Sequence, residues 1–426
     1  MALYQETEDY KLFSGKMEDV LQTFENNSID CIITDPPYEL NFMGKSWDKS
    51  SVSFSKETWN HCFKVLKSGG YLIAFGGSRT YHRIACAIED AGFEIRDCMM
   101  WLYGSGFPKS MNLGLAIDKK MGIESKVIGE KKTHNFKEHN GMMSRFNIVN
   151  EKTTTKLIKY KKASNNWQGW GTCLKPAYEP IIIARKPFKG SLINNVLING
   201  VGGINIDECR IGSEERTYKG MSKKQPENAG CFRDDNWIPK DIEVTANGRF
   251  PSNVVLTYDE SDFEEVCENM SNSSRYFYCA KASKKDRDEG LEAFEERNID
   301  DGSVRTNQET GRKFGANPVL KRNIHPTVKP VDLMQYLVRM FAPKGSIILD
   351  PFMGSGSTGK AVMYENRERN SGYKFIGIEL TKEYLPICKA RIEYAKKKDE
   401  YTNNETKQVS EQRITTIFDF LTEEKG

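Results

Sequence analysis

Two stretches of this chain carry the residue types best suited to chemistry: Asp35-Pro36-Pro37-Tyr38, and the run Leu349-Asp350-Pro351-Phe352-Met353-Gly354-Ser355-Gly356-Ser357-Thr358. In the first, neither proline has an N–H to donate, and both fix the backbone stiffly. Carbonyl acceptors are left facing outward beside one carboxylate. An exocyclic amine carries two N–H donors, and a carboxylate with a proline carbonyl can accept from both. That pairing favours a nitrogen moving toward tetrahedral geometry, its lone pair free to attack an electrophile. Tyr38 adds an aromatic face on which an extruded base can stack. The bland alternative is an ordinary turn leaving a strand, since Asp-Pro and Pro-Pro are frequent turn dipeptides.

The second stretch follows an apolar run, Ser346–Leu349, and opens a helix. In an open α/β sheet, ligands bind beyond the carboxyl ends of strands. Glycines let the backbone approach a ligand closely, and a helix N-terminus offers unpaired N–H groups. The next strand, Lys374–Ile378, ends at Glu379, a carboxylate placed to accept hydrogen bonds from ribose hydroxyls. Together these residues suggest a nucleoside cofactor. Gly354–Lys360 also fits the Gly-x4-Gly-Lys of a P-loop, but Ala361 stands where a P-loop needs Ser or Thr to hold magnesium. A dinucleotide-binding oxidoreductase stays open on the glycine turn alone.

The elements that must position these residues alternate. Ile29–Thr34 reads as a buried strand and Lys56–Leu66 as a helix, followed by a turn at Lys67–Gly70 and a strand at Tyr71–Phe75. Thr80–Ala91 is a helix closed by Gly92, and Phe93–Leu102 another strand. Residues 111–320 break the rhythm, with short apolar runs at Pro180–Ala184 and Asn253–Thr257 and aromatics at Trp167, Trp170 and Arg275–Tyr278. The charged stretch Ala282–Gln308 reads as loop or exposed helix. Alternation returns with the helix Val331–Met340, the helix after the glycine turn and the helix Thr381–Lys397. The polar tail 398–410 reads as frayed, with Ile414–Leu421 able to dock. Strands alternating with helices argue for a mostly parallel sheet covered on both faces.

Composition narrows the setting. The chain has 426 residues and a formal charge of +3, and contains no apolar run long enough for a membrane span. Its N-terminus has no secretory pattern. Ten cysteines include no Cys-x-x-Cys pair, so a structural zinc site is not supported and free thiols in a reducing, cytoplasmic compartment are expected. Between Lys119 and Lys189, 14 Lys and 2 Arg stand against 5 Glu. Such a block is either a solvated lysine-rich loop or the footprint of a polyanion partner.

Taken together, Asp35–Tyr38, Asp350–Thr358 and His325-Pro326-Thr327-Val328-Lys329-Pro330 resemble the three principal motifs of the amino-group DNA methyltransferases. Their order, with the catalytic motif first and the cofactor motif last, is similar to that of the beta class of N6-adenine and N4-cytosine enzymes of restriction-modification systems and phages. The match covers roughly residues 12–110 and 320–395; the middle segment resembles the family by position only. The resemblance implies a Rossmann-like α/β fold with a mostly parallel seven-stranded sheet and a large inserted target-recognition region. It divides the chain into a catalytic half (1–110), the recognition region (111–320), a cofactor-binding half (321–397) and a C-terminal tail (398–426).

The implied cofactor is S-adenosylmethionine, with no metal, and the implied substrate is double-stranded DNA. A homodimer and a cognate restriction endonuclease are further partners that the resemblance leaves open, and it suggests a bacterial or phage-encoded protein. Asp35, Pro36 and Pro37 would form the turn that accepts the target amine, and Tyr38 would stack on the flipped base. Asp350, Pro351, Phe352, Gly354, Ser355, Gly356 and Ser357 would line the cofactor pocket. Glu379 would hold the ribose, and Thr327 and Lys329 would lie near the methionine end. One departure stands out: where the family often has Gly-Asp before the first helix, this chain has Gly15-Lys16-Met17-Glu18-Asp19. Asp35 at the first motif position leans toward adenine N6, with cytosine N4 as the alternative. Cytosine C5 chemistry needs a cysteine nucleophile, typically after proline, and there is no Pro-Cys dipeptide here. Methylation of RNA or of a protein glutamine, and a DNA-binding protein without catalysis, are the rival readings.

Overall fold

A computed structural model describes residues 2–40, 48, 50–103, 110–137, 153–219, 243–257, 277–279, 282–299, 305–306, 313–314 and 319–397. Its largest feature is a ten-stranded sheet. In spatial order the strands are Ala2–Glu6, Tyr10–Ser14, Lys374–Glu379, Ile347–Asp350, Ile29–Thr34, Leu66–Phe75, Tyr178–Arg185, Glu94–Tyr103, Val254–Thr257 and Phe277–Tyr278. The five strands from Tyr10–Ser14 to Leu66–Phe75 run parallel to their neighbours. Ala2–Glu6 and Tyr178–Arg185 attach antiparallel. This is the Rossmann-like α/β architecture that the resemblance implied, with the parallel core that the alternation of strands and helices argued for, but it is wider than the seven strands expected. The extra width has a physical cause. Apolar runs such as Ile181, Ile182 and Ile183, embedded in a polar stretch, must be buried and find their place in the sheet.

Helices Met17–Leu21, Lys56–Val65 and Tyr81–Asp90 cover one face. Their Val20, Trp59, Cys62 and Ile88 join Ile32, Leu72, Ala74 and Leu349 of the strands in one hydrophobic cluster. Val331–Phe341 packs against Ser357–Arg369, which packs in turn against Leu385–Lys396. The C-terminal helix begins as a short 3-10 turn at Lys382–Tyr384. The turn expected at Lys67–Gly70 is instead the irregular start of the strand Leu66–Phe75. The register slips between Ile29 and Cys31, and Gly69 takes a φ of 82° there. Glycine serves a bulge in this place, not a reversal of the chain.

The chain forms two compact units. One comprises Met1–Trp101, Glu179–Arg297 and Lys321–Gly426; the other comprises Leu102–Tyr178 and Asn298–Leu320. Part of the segment 111–320 therefore belongs with the sheet. In the second unit, Lys126–Lys137 pairs antiparallel with Thr153–Lys162. The helix Leu113–Met121 is capped by the Asn112 side chain and ends at Gly122 with φ 67°. Its buried Asp118 accepts hydrogen bonds from the Ser164 N–H (2.8 Å), Asn165 Nδ2 (2.6 Å) and Ser125 Oγ (3.0 Å). These bonds fix the turn that carries Trp167 and Trp170. The tail 398–410, Ile414–Leu421 and Arg275 lie outside the described residues. Among the described residues, no helix is long and apolar enough to cross a membrane.

Candidate active site

Strands Ile29–Thr34 and Ile347–Asp350 lie side by side and parallel, with Cys31 opposite Ile348 and Ile32 opposite Leu349. Their carboxyl ends therefore emerge together, and with them the Pro-Pro turn and the glycine turn. A buried hydrogen bond joins the two: Thr34 Oγ1 donates to Asp350 Oδ1 at 2.7 Å. Asp350 also accepts from the Phe352 N–H (3.2 Å) and from Thr358 Oγ1 (2.6 Å). Burial pushes its carboxyl up to about 6 against the pull of these donors. Asp350 thus clasps the two motif strands from within. Pro351 beside it is buried, and Phe352 is half-buried with its ring edge-on to Trp59.

The glycine turn needs its glycines. Gly354 has φ 56° and Gly356 φ 76°, a region that side chains rarely adopt. A Cβ on Gly354 would stand 2.9 Å from His325 Nε2, and one on Gly356 would stand 3.1 Å from the Cys388 Cα. Glu379 accepts from the Gly354 N–H at 2.8 Å and from the Thr381 N–H at 2.6 Å, one bond to each oxygen. Each oxygen keeps a further lone pair. Burial pushes this carboxyl up to about 7. The Gly15 N–H donates to the Glu379 carbonyl at 3.0 Å, so the departing Gly15–Asp19 stretch runs past this position.

Beneath the turn lies a buried charge network. Fully buried Arg391 donates through Nη1 to the Ser355 carbonyl (2.7 Å), Ser355 Oγ (3.1 Å) and Ser357 Oγ (3.2 Å), and through Nη2 to the Asp286 carbonyl (3.2 Å). The hydroxyls of Ser355 and Ser357 are therefore engaged below the turn. Lys360, also fully buried, lies 2.7 Å from Glu289 Oε2 and 3.3 Å from Asp286 Oδ1. A lysine sealed between two carboxylates cannot reach a phosphate, which disposes of the P-loop reading. The stretch Ala282–Gln308 is thus not simply exposed: its helix Lys284–Asp288 carries Asp286 into this network. Hydropathy hid that role, because the charges looked solvated.

The Pro-Pro turn is clamped on all but one side. Ser53 Oγ donates to the Pro37 carbonyl at 2.7 Å, and Thr80 Oγ1 to the Tyr38 carbonyl at 2.8 Å. The buried Asp48 accepts the Glu39 and Leu40 N–H groups at 2.8 and 3.1 Å. Among the described residues, no donor meets the Pro36 carbonyl. Asp35 Oδ2 is 2.6 Å from Lys329 Nζ, while Asp35 Oδ1 is buried and has no partner among them.

Lys329 comes from the His325–Pro330 loop. The ring nitrogen Nδ1 of His325 lies 2.6 Å from the Thr327 carbonyl, and Arg287 Nη2 donates to the carbonyls of His325 (3.3 Å) and Pro326 (3.4 Å). Burial drives the His325 imidazole down to about 3, so the ring is neutral near pH 7 and gives its Nδ1 proton to that carbonyl. Thr327 itself is exposed. The Lys329 ammonium donates to Asp35 and to the Tyr38 hydroxyl (3.2 Å), and pairs with Glu179 Oε2 at 3.3 Å. It sits 5.0 Å from the Phe75 ring centre and 5.3 Å from that of Tyr38. Burial works against its charge, but Asp35 and Glu179 outweigh that and hold it above the usual lysine range. Glu179, which also accepts the Tyr38 hydroxyl proton at 2.8 Å, is the residue that sequence reasoning missed. No motif marks it, and only the pairing of Leu66–Phe75 with Tyr178–Arg185 brings it near.

The structure therefore brings Asp35, Pro36, Tyr38 and Lys329 into one cluster, and Asp350, Phe352, Gly354, Gly356 and Glu379 into a second, joined through Thr34. A Rossmann-like sheet with a glycine turn and a strand-end carboxylate defines a protein of the nucleoside-cofactor-binding α/β class. The chain belongs to the N6/N4 methylase family: the family model, described as DNA methylase, matches residues 29–390. It is 26% identical over 153 residues to the Type II methyltransferase M.HindIII of Haemophilus influenzae, covering 35% of this chain and 37% of that one. It is 42% identical over 69 residues to M2.DpnII of Streptococcus pneumoniae, covering 16% and 24%. The chain thus spans well under half the length of these curated relatives. Among solved structures, the cytosine-N4-specific PvuII DNA methyltransferase aligns over 99% of this chain and 96% of its own, at 14% identity and a TM-score of 0.40.

Proposed function

We propose that this protein transfers a methyl group from S-adenosylmethionine to the exocyclic N6 amine of adenine in double-stranded DNA. The observation that carries the reading is the pair of acceptors at the Pro-Pro turn that meet no donor among the described residues, Asp35 Oδ1 and the Pro36 carbonyl, just past the strand that pairs with the one leading into the glycine turn. Two acceptors match the two hydrogens of an amine, and a buried acceptor without a donor is costly unless a ligand supplies one. Phe352 and the backbone of Gly354 and Gly356 would hold the cofactor, with Glu379 accepting its ribose hydroxyls. When bound, that cofactor supplies an electrophilic methyl on a sulfonium.

This chain's residues do the rest. Lys329 neutralises and pins Asp35 Oδ2. Oδ1 and the Pro36 carbonyl then accept the amine's hydrogens and aim its lone pair. Tyr38 stacks on the base, whose extrusion costs a few kcal/mol. Catalysis rests on orientation and preorganised acceptors. The second unit supports a DNA partner through charge and aromatic surface. Lys119, Lys120, Lys126, Lys161, Lys162 and Lys175 are exposed on it, as are Trp167 and Trp170, edge-on at 5.3 Å. Lysines contact phosphates and aromatic rings stack on bases. Asp35 at the first motif position favours adenine by the family pattern.

The test is methyl-labelled S-adenosylmethionine with duplex DNA, followed by nucleoside analysis. Label in N6-methyladenine is expected, and its loss in Asp35→Ala with cofactor affinity kept within a few fold. Label in N4-methylcytosine would overturn the choice of base, and label only in RNA or protein would overturn the substrate. Full activity in Asp35→Ala would remove the role given to that carboxylate.

A further inference from the structure

Tyr38 and Lys329 both turn toward Glu179, a residue outside every motif. We infer that Glu179 is a positioning residue that keeps Asp35 Oδ1 open for the target amine by taking the Tyr38 hydroxyl proton and sharing Lys329; the inference rests on the function proposed above. The hydroxyl of Tyr38 faces two carboxylates, Glu179 and Asp35. It donates to Glu179 Oε2 at 2.8 Å and accepts from Lys329 at 3.2 Å, while Asp35 Oδ1 keeps no partner among the described residues. A phenol has one proton to give. While Glu179 holds it, that proton cannot cap Asp35. Remove Glu179, and the nearest remaining carboxylate acceptor for Tyr38 is Asp35 itself, so the enzyme's own hydroxyl competes with the substrate amine.

The second half of the role concerns Lys329. Its ammonium lies 2.6 Å from Asp35 and 3.3 Å from Glu179. The groups that face it are Asp35 and Tyr38 from the turn after Ile29–Thr34, Glu179 from Tyr178–Arg185 and His325 from its own loop. Two anions support the charge in a buried place; with one removed, Lys329 gives up its proton at lower pH. Glu179 is itself about one-fifth exposed and sits near the start of its strand, so the sheet does not depend on its side chain.

The experiment compares wild type, Glu179→Ala, Glu179→Gln and the double variant Glu179→Ala with Tyr38→Phe, all as full chains. Each is measured for cofactor affinity, kcat and KM on a methylatable duplex, and kcat against pH. Glu179→Ala is expected to lower kcat about 10- to 100-fold, as misplacement of a reacting group does, with cofactor affinity within about twofold. The alkaline limb of its pH profile moves to lower pH. Glu179→Gln still accepts the phenol proton but lacks the charge, so it keeps more kcat than Glu179→Ala and shows the same alkaline shift. The double variant, which has no hydroxyl to turn on Asp35, regains part of the lost kcat. Unchanged kcat in Glu179→Ala, or a double variant no faster than the single, overturns the inference. If wild type methylates some acceptor other than DNA, the DNA reading fails, and the same comparison, made on that acceptor, still decides for or against Glu179.

Discussion

Among the described residues, Asp35 has one oxygen spent on Lys329 and one left over, and the residues around it make that asymmetry stable. Ser53 and Thr80 hold the neighbouring carbonyls, Asp48 takes the Glu39 and Leu40 N–H groups, and neither proline has an N–H to offer the free oxygen. Glu379 shows the same economy at the glycine turn. Its carboxyl titrates near 7 because burial disfavours the charge, although two backbone N–H groups favour it. The folded protein therefore holds a proton that the unfolded chain gives up at about 4.5. The stability that this proton contributes is fully present below pH about 4.5 and is lost as pH rises to about 7. Thermal scans of the cofactor-free protein should show the loss across that window, and Glu379→Gln should flatten it. In the role proposed for Glu379, ribose hydroxyls would donate more strongly to the ionised carboxylate. Calorimetry should accordingly find cofactor affinity rising across the same interval in wild type and not in the variant.

Adjacent parallel strands do for the elements what no local sequence could. Thr34 and Asp350 meet because Ile29–Thr34 and Ile347–Asp350 are neighbours in the sheet, and that meeting brings acceptor turn and glycine turn together. The glycine turn is in turn held from below by Lys284–Asp288, Ser357–Arg369 and Leu385–Lys396 through Asp286, Glu289, Lys360 and Arg391. Removing one member of a buried pair leaves an uncompensated charge, at a cost of about 3–5 kcal/mol. Lys360→Met should accordingly lower the melting temperature by several degrees and weaken cofactor binding, both read by thermal shift with and without cofactor. An unaltered melting temperature would mean that the network does not support the turn.

For the whole molecule, net charge hides an uneven distribution. The chain's formal charge is only +3, yet the exposed lysines of the second unit stand with few carboxylates among them. Binding of duplex DNA that releases counterions falls steeply with salt, with a slope of roughly −0.9 for each phosphate neutralised on logarithmic axes. Fluorescence anisotropy on a short duplex should show such a slope, and Lys161→Ala with Lys162→Ala should make it shallower by about 1 for each phosphate that a lysine no longer holds. Trp167→Ala with Trp170→Ala should weaken binding at least about fivefold with the slope unchanged, because stacking carries no charge. A salt-independent affinity would remove the second unit from DNA binding.

The sequence by itself determined the local chemistry. Proline stiffness at 36 and 37, glycines at 354 and 356 where φ is positive, apolar strands ending at Thr34 and Asp350, and a basic middle segment all follow from residue type and short spacing. These were enough to expect an α/β sheet with an amine-accepting turn and a nucleoside turn. What only the tertiary structure decided is which groups are spent and which are left open. Ser355 and Ser357 are engaged by Arg391, Lys329 is turned toward Asp35, Glu179 arrives on a strand from the middle of the chain, and the sheet has ten strands. Each of these depends on strand pairing and burial between residues far apart in sequence, and residue spacing carries no record of such meetings.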